Sequence, residues 1–396
     1  MFGVPHARQI GLPVAIAGFI ATLIGYASSA AIIYQAATAA GASADEIGGW
    51  LTALGLAMGI SSLGFSLWYR QPILTAWSTP GAAMLATSLD GVTLSQTIGI
   101  FIFSNVLIVL CGMTGLFARL MKVIPQAITA AMLAGILLRF GLQAFGALQI
   151  DLPLCGIMCL SWLLARRLLP RYAIIITLLA GLLVTLLRGD LHVTQPLLTL
   201  RWPSFIMPSF SLSSLLGVGV PFFLVTMASQ NAPGIATLQA HGYNAPVSAL
   251  IGWSGLLALL LSPFGGFSVC IAAITAAICM GDEVHPDRNQ RWLASAAAGV
   301  FYLLAGLFGG AVGLLLTALP LVLIQTLAGL ALLATLTGSI QRALYQEETR
   351  DAAIITFLVT ASGITLAGIG AAFWGLFIGV VVWLILASHR QRSVTN

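Results

Sequence analysis

The chain has 396 residues, 59% of them hydrophobic and 7% charged, and its mean hydropathy of +1.03 excludes an ordinary water-soluble domain. A net charge of +5 does not point to nucleic acid, because the basic residues punctuate apolar runs and never gather on one segment with interleaved aromatics. Cys111, Cys155, Cys159, Cys270 and Cys279 lie in apolar stretches and read as buried hydrophobes, with no disulfide framework or metal site.

Backbone groups in lipid must find hydrogen bonds within the chain, which leaves helices or a closed barrel. Runs such as Ala173 to Leu187 lack the alternation of barrel strands, so the expected fold class is an all-α membrane protein. Spans are expected at 12–34, 47–68, 72–89, 97–117, 125–145, 152–169, 171–188, 213–236, 246–262, 264–280, 292–315, 318–337, 352–370 and 371–387, about 14 segments. The first, behind Arg8, is long enough to cross and reads as an uncleaved transmembrane helix.

The third segment is interrupted at Ser78-Thr79-Pro80-Gly81. Ser78 or Thr79 can cap a short helix whose first turn contains Pro80. The tenth is interrupted at Ser262-Pro263-Phe264-Gly265-Gly266-Phe267-Ser268, with Gly266 and Ser268 again expected just before a short helix. Neither half-helix can span alone, and irregular backbone at membrane depth needs protein or a wet cavity around it. The two breaks are therefore expected to meet, with their positive dipole ends aimed at one anion, such as a carboxylate. The plainer alternative is that the prolines and glycines only kink ordinary helices.

Ser28 and Ser29 in the first segment, and Ser229, Gln230 and Asn231 in the eighth, are candidates to line the same cavity; helix-to-helix hydrogen bonding is the alternative use of such residues. Asn105, Gln143 and Gln325 are assigned to that alternative. Trp77 and Phe267, beside the breaks, suit stacking on an aromatic substrate ring, or simple gap filling. Arg139 reads as snorkelling to the outer interface from the fifth segment, although an intramembrane charge is a functional candidate by default.

With Met1 in the cytoplasm, only Arg139, Arg188 and Arg201 of the sixteen basic residues fall outside, so both termini are expected in the cytoplasm. An internal repeat is visible: Met132–Leu138 after Pro125 returns as Thr326–Leu332 after Pro320. Seven spans per half make the second copy inverted, a construction of secondary transporters. The expected halves are 11–188 and 212–388. No metal, phosphate-binding or hydrolase motif is present, so neither a cofactor nor an enzymatic activity is expected; His6, His192, His241, His285 and His389 fall in connections or termini.

The stretches Leu224–Gly234, Leu74–Gly81 and Gly25–Ala31 resemble the benzoate/proton symporter (BenE) family of bacterial inner-membrane proteins. The resemblance covers nearly the whole chain. It implies the fold of uracil permeases and sulfate or bicarbonate carriers: two interlocked seven-helix inverted repeats with half-helices as segments 3 and 10. In that scheme a core domain comes from 11–122 and 212–317, and a gate domain from 123–189 and 318–388. The substrate sits between the half-helices near helices one and eight, and core moves against gate like an elevator.

The implied function is secondary import of benzoate or a similar aromatic carboxylate, coupled to protons, in the inner membrane; a homodimer is an assembly open to it. A same-fold carrier of a nucleobase or inorganic anion, a passive anion channel, and a scaffold or intramembrane enzyme are the competing readings. One departure matters. Uracil permeases use carboxylates in the eighth and tenth helices, where this chain has Gln230, Asn231, Phe267 and Ser268. Its eleven acids lie at span ends or in connections, which leaves the rim acids Asp90 and Asp282 as candidates for proton coupling, or the substrate itself as the proton carrier.

Overall fold

The computed structural model describes residues 11–116, 125–191 and 202–394. Arg8, Arg119, Lys122 and Arg201, His6 and His192, and the expected core–gate boundary at 122/123 lie outside the described residues. The first half contains α1 (Leu12–Ala39), α2 (Ala44–Tyr69), β1 (Thr75–Ala76), α3 (Thr79–Ser88), α4 (Leu94–Thr114), α5 (Gln126–Gly146), α6 (Leu152–Leu168) and α7 (Ala173–Arg188). The second contains α8 (Leu212–Ala240), α9 (Val247–Leu261), β2 (Cys270–Ile271), α10 (Ile274–Ile278), α11 (Trp292–Leu307), α12 (Gly309–Ala318), α13 (Leu321–Leu344), α14 (Arg350–Ser362) and α15 (Ala371–Val394).

Among the described residues eight helices are long and apolar enough to cross a membrane, or nine if α11 and α12, bent by 61° at their junction, form one span. The expected fourteen include broken and shorter elements that this criterion does not count. Local chemistry sets several boundaries. Ser43 and Glu46 form a capping box at the start of α2, and Thr93 with Gln96 does the same for α4; each satisfies amides that the first helical turn leaves unpaired. Pro125 and Pro320 immediately precede α5 and α13, the matching positions of the repeat.

Helices pack in two sets. α2 lies along α11 and α12, α4 along α9, and α1 against α11 and α3; in the second set α5 lies along α13 and α14, α14 on α15, and α6 on α7. The sets touch where α1 meets α13 and α3 meets α5. The α2–α11/α12 seam is built from small residues: Gly48, Gly55 and Gly59 face Gly310, Gly306 and Leu303, and a Cβ at any of the three would press on the opposing helix. Close backbone approach replaces the hydrophobic drive that helices lose in lipid. Conversely Leu160, Leu163, Leu164, Leu168, Leu183 and Leu187 on α6 and α7 are exposed, as an outer face against acyl chains requires. Trp50, Phe101, Phe222 and Phe267 form the aromatic centre of the first set, with ring centroids 5.3–6.4 Å apart.

Candidate functional site

The two interruptions meet as a two-stranded antiparallel ribbon, with Thr75 opposite Ile271 and Ala76 opposite Cys270. A ribbon in the middle of a helical membrane protein has two outer edges whose backbone groups need partners. On the β1 edge, α2 supplies them. Ser62 Oγ accepts from the Thr75 N–H at 2.9 Å, Ser66 Oγ donates to the Ile73 carbonyl at 3.0 Å, and Ser61 and Ser62 reach the Thr75 hydroxyl at 2.6 and 2.8 Å. On the β2 edge, Asn231 Oδ1 accepts from the Ile271 N–H at 3.0 Å, and Asn105 Nδ2 donates to the Phe267 carbonyl at 3.0 Å. Between the breaks, the Ser78 N–H donates to Ser268 Oγ at 2.9 Å.

After β1 the chain turns into α3, ten residues long. Ser78 is its N-cap, accepting from the Gly81 N–H at 3.0 Å, and Pro80 sits in the first turn, where its missing N–H costs nothing. Thr79 shares a hydrogen bond with Ser29 of α1 at 2.9 Å, and Ser28 lies beside it, half-buried. The second break departs from the expected symmetry. Gly266 and Ser268 are not followed at once by a helix: the chain stays extended through Cys270–Ile271, and α10 has only five residues with no side-chain cap. The reason is local. Gly265 takes φ +87°, and Trp50 lies where its Cβ would be, so the chain leaves α9 on a path that pairs with β1 before it can coil. The positive field at the meeting point therefore comes mainly from α3, because a five-residue helix aligns few peptide dipoles.

α8 reaches the ribbon as a helix with two π segments, Leu215–Gly219 and Met227–Asn231. Each ends two residues before a proline, Pro221 and Pro233. A proline cannot donate to the carbonyl four residues back and its ring crowds that carbonyl, so the turn widens. The second widening presents Ser229 and Gln230, both half-buried, while Asn231 is fully buried. Asn231 also contacts Met227 Sδ through its Nδ2 at 3.4 Å, so both ends of its amide serve the protein. Gly234, one turn on, lies against the Ile271 carbonyl so closely that a Cβ would overlap it. Asn231 and Gly234 thus clamp one residue of β2.

Of the two aromatic candidates, Trp77 stands edge-on to Tyr26 at 4.8 Å and is 2% exposed. Phe267 is wholly buried in the cluster with Trp50, Phe101 and Phe222, where it fills the interior. Sequence reasoning passed over Met58, whose Sδ accepts from the Trp77 N–H at 3.2 Å, and Thr226, whose hydroxyl reaches Ser78 Oγ at 3.4 Å. Asn105 makes the hydrogen bonds between elements expected of it, from α4 to Ser262 and to the Phe267 carbonyl at the second break. A polar residue in an apolar run was the available signal for Thr226 and Asn105, and Met58 carried none.

The rim acids differ. Asp282 is 92% exposed and paired with Arg291, whose buried guanidinium also donates to the Met280 and His285 carbonyls at 2.8 and 2.9 Å. Asp282 thus organises the connection after α10. Asp90 lines a cavity of about 130 Å³ at the far end of α3, about 15 Å along the helix from Ser78 at 1.5 Å per residue. Arg139, half-buried, lines the same cavity, where Gly363 leaves room for its guanidinium.

With this geometry in hand, the class of protein is defined. The transmembrane domain of a cyanobacterium bicarbonate transporter, BicA, matches 96% of this chain and 98% of its own at a TM-score of 0.56 and 14% identity. Murine Slc26a9, an anion transporter solved in the inward-facing state, matches 95% of this chain and 68% of its own at a TM-score of 0.58 and 13% identity. The fold is the inverted-repeat membrane fold of those carriers. In sequence, the chain is 60% identical to the inner membrane protein YdcO of Escherichia coli (strain K12) over 96% of this chain and 97% of that one. It is 37% identical to the benzoate membrane transport protein of Acinetobacter baylyi (strain ATCC 33305 / BD413 / ADP1), over 96% of each. The family model for benzoate membrane transport proteins matches residues 9–385, and the chain belongs to this BenE family of multi-pass membrane transporters.

Proposed function

We propose that this protein is a secondary active importer of benzoate or a similar aromatic carboxylate, coupled to protons. The observation that carries the reading is the Ser78-capped N-terminus of α3, held against β2. Half-buried Ser28, Ser229 and Gln230 lie on the two helices nearest it, and no acid lies on β1, β2, α3 or α10. Peptide N–H groups and hydroxyls there favour an anion, and no fixed negative charge repels it. Trp77 and Tyr26 give the ring an aromatic wall. Ser29, Thr79, Ser78, Asn231, Gly266, Phe267 and Ser268 shape the site; several act by holding the ribbon.

In this reading the helices divide into a core (11–122 and 212–317) and a gate (123–189 and 318–388) that slide past each other and expose the site alternately. Both termini lie on the cytoplasmic side of a bacterial inner membrane, and a homodimer is an assembly open to it. The solved relatives carry bicarbonate or other anions, which makes an inorganic-anion carrier the second reading.

Uptake into proteoliposomes separates these. Labelled benzoate should enter saturably, faster with an inward proton gradient, and be displaced by substituted benzoates but not by sulfate or uracil. Ser78→Ala should raise the half-saturating concentration about fivefold, the equivalent of about 1 kcal/mol of cap and anion binding. Flux that neither saturates nor answers to the gradient would mean a channel, and displacement by sulfate would favour the second reading.

A further inference from the structure

The 130 Å³ cavity at the far end of α3 is lined from both helix sets: Thr87 and Asp90 come from the end of α3 and its connection, Ser213 from the start of α8, Arg139 from α5, Thr360 from α14, and Thr365 from the connection before α15. Asp90 and Arg139 are the titratable groups among its lining residues. Arg139 is half-buried within a helix, and among the described residues no hydrogen bond or ion pair engages it. A half-buried cation with no ion pair of its own is a ready partner for an anion. Two features shape the wall around it. Thr360 is 4% exposed, with its Oγ1 turned to Gly375 of α15. Gly363, at φ +69°, is the left-handed cap that ends α14, and its missing Cβ leaves room for the Arg139 guanidinium.

One fixed positive charge and one ionisable acid make the empty charge balance of the cavity neutral. A carboxylate entering alone would leave two negative groups against one guanidinium, with the negative end of α3 adding to the excess. Neutrality returns if one proton enters as well. Asp90 is the group placed to receive it, since it lines the cavity and is solvent-exposed.

We propose that this cavity is a loading site for the substrate carboxylate, in which Arg139 binds the anion and Asp90 takes up one proton from solution as the anion enters. It rests on the carboxylate-carrier reading above and adds a second site, on the side of the molecule expected to face outward. No bond to the substrate forms or breaks: the proton moves from external water to an Asp90 carboxylate oxygen, and the substrate remains an anion. The pairing of cation and acid across the two helix sets also means that relative movement of the sets would dismantle the site, releasing both cargo and proton toward the ribbon.

The test uses purified full-length protein and benzoate. Binding measured by calorimetry in buffers of different ionisation enthalpy should show about one proton taken up per benzoate in the wild type and about none in Asp90→Asn. Uptake from outside should weaken as external pH rises in the wild type and lose that dependence in Asp90→Asn. Arg139→Gln should raise the half-saturating external concentration by about tenfold or more, with Arg139→Lys recovering part of it. Equal proton uptake by wild type and Asp90→Asn would overturn the assignment of Asp90. An unchanged half-saturating concentration in Arg139→Gln, or equal loss of maximal rate in Arg139→Gln and Arg139→Lys with no change in that concentration, would overturn the binding role of Arg139. If wild-type protein binds no benzoate at all, the proposed function fails instead, and the proton measurement is then made with whichever anion the competition panel identifies.

Discussion

The two breaks carry the same task on opposite halves of the repeat, yet they are built differently. The first is held by neighbours close in sequence: Ser78 caps its helix, Pro80 starts it, ten residues follow, and three serines of the preceding α2 hold its strand. The second is held from outside. Gly265 bends under Trp50, Asn231 and Asn105 satisfy its backbone, and only five helical residues follow. Inverted repeats therefore need not divide the work evenly: one break supplies the dipole and the other supplies a strand for it to lean on.

The largest effect should come from the point that forces the second break off the helical path. Gly265→Ala must place a Cβ into Trp50 at a backbone angle that side chains resist, and a loss above about 3 kcal/mol is expected. Thermal unfolding of the detergent-purified protein checks it, and an unchanged midpoint would mean the second break does not depend on this bend.

Next comes the difference between the two outer edges. Asn231→Leu strands the buried Ile271 N–H, at about 1–3 kcal/mol, whereas Ser61→Ala should stay below about 1 kcal/mol because Ser62 and the Met58 carbonyl still hold the Thr75 hydroxyl. Equal losses in the two variants would erase the distinction between an edge held by several serines and one held by a single asparagine.

The smallest effect lies beyond α10, where Glu283 pairs with Arg171 of the α6–α7 connection at 3.1 Å. Its own backbone N–H and then Arg171 hold the Glu283 carboxyl below the usual range. A lowered value means the contribution is present above the ordinary glutamate range and fades as pH falls through the lowered one. Both side chains are more than half exposed, so Arg171→Gln should cost less than about 0.5 kcal/mol at neutral pH and nothing in acid. A difference from wild type that persists unchanged into acid would show that Arg171 acts by packing and not through this pair.

The first break was legible because its signals are local: a capping serine, a proline in the next turn and an apolar run of helical length follow one another along the chain. The second carried the same kind of punctuation, but what its glycines would do depended on Trp50, more than two hundred residues away. Asn231 shows the same limit. Its residue type marked it as a polar group in an apolar helix, and the choice between substrate and backbone was made by where β2 came to lie. Arg139 was visible as a charge inside a span, whereas the cavity that receives it is assembled from α3, α5, α8 and α14.

Composition and periodicity alone determined that this chain lives in lipid, that it is helical and that it is interrupted twice at matching places, because each of those follows from the solvent and from neighbours a few residues apart. Only tertiary structure decided that the interruptions pair as strands, that one half-helix is twice the length of the other, and which polar side chains remain free for a ligand. Those outcomes turn on satisfying buried backbone groups with partners from distant helices, and a linear sequence does not say which partners arrive.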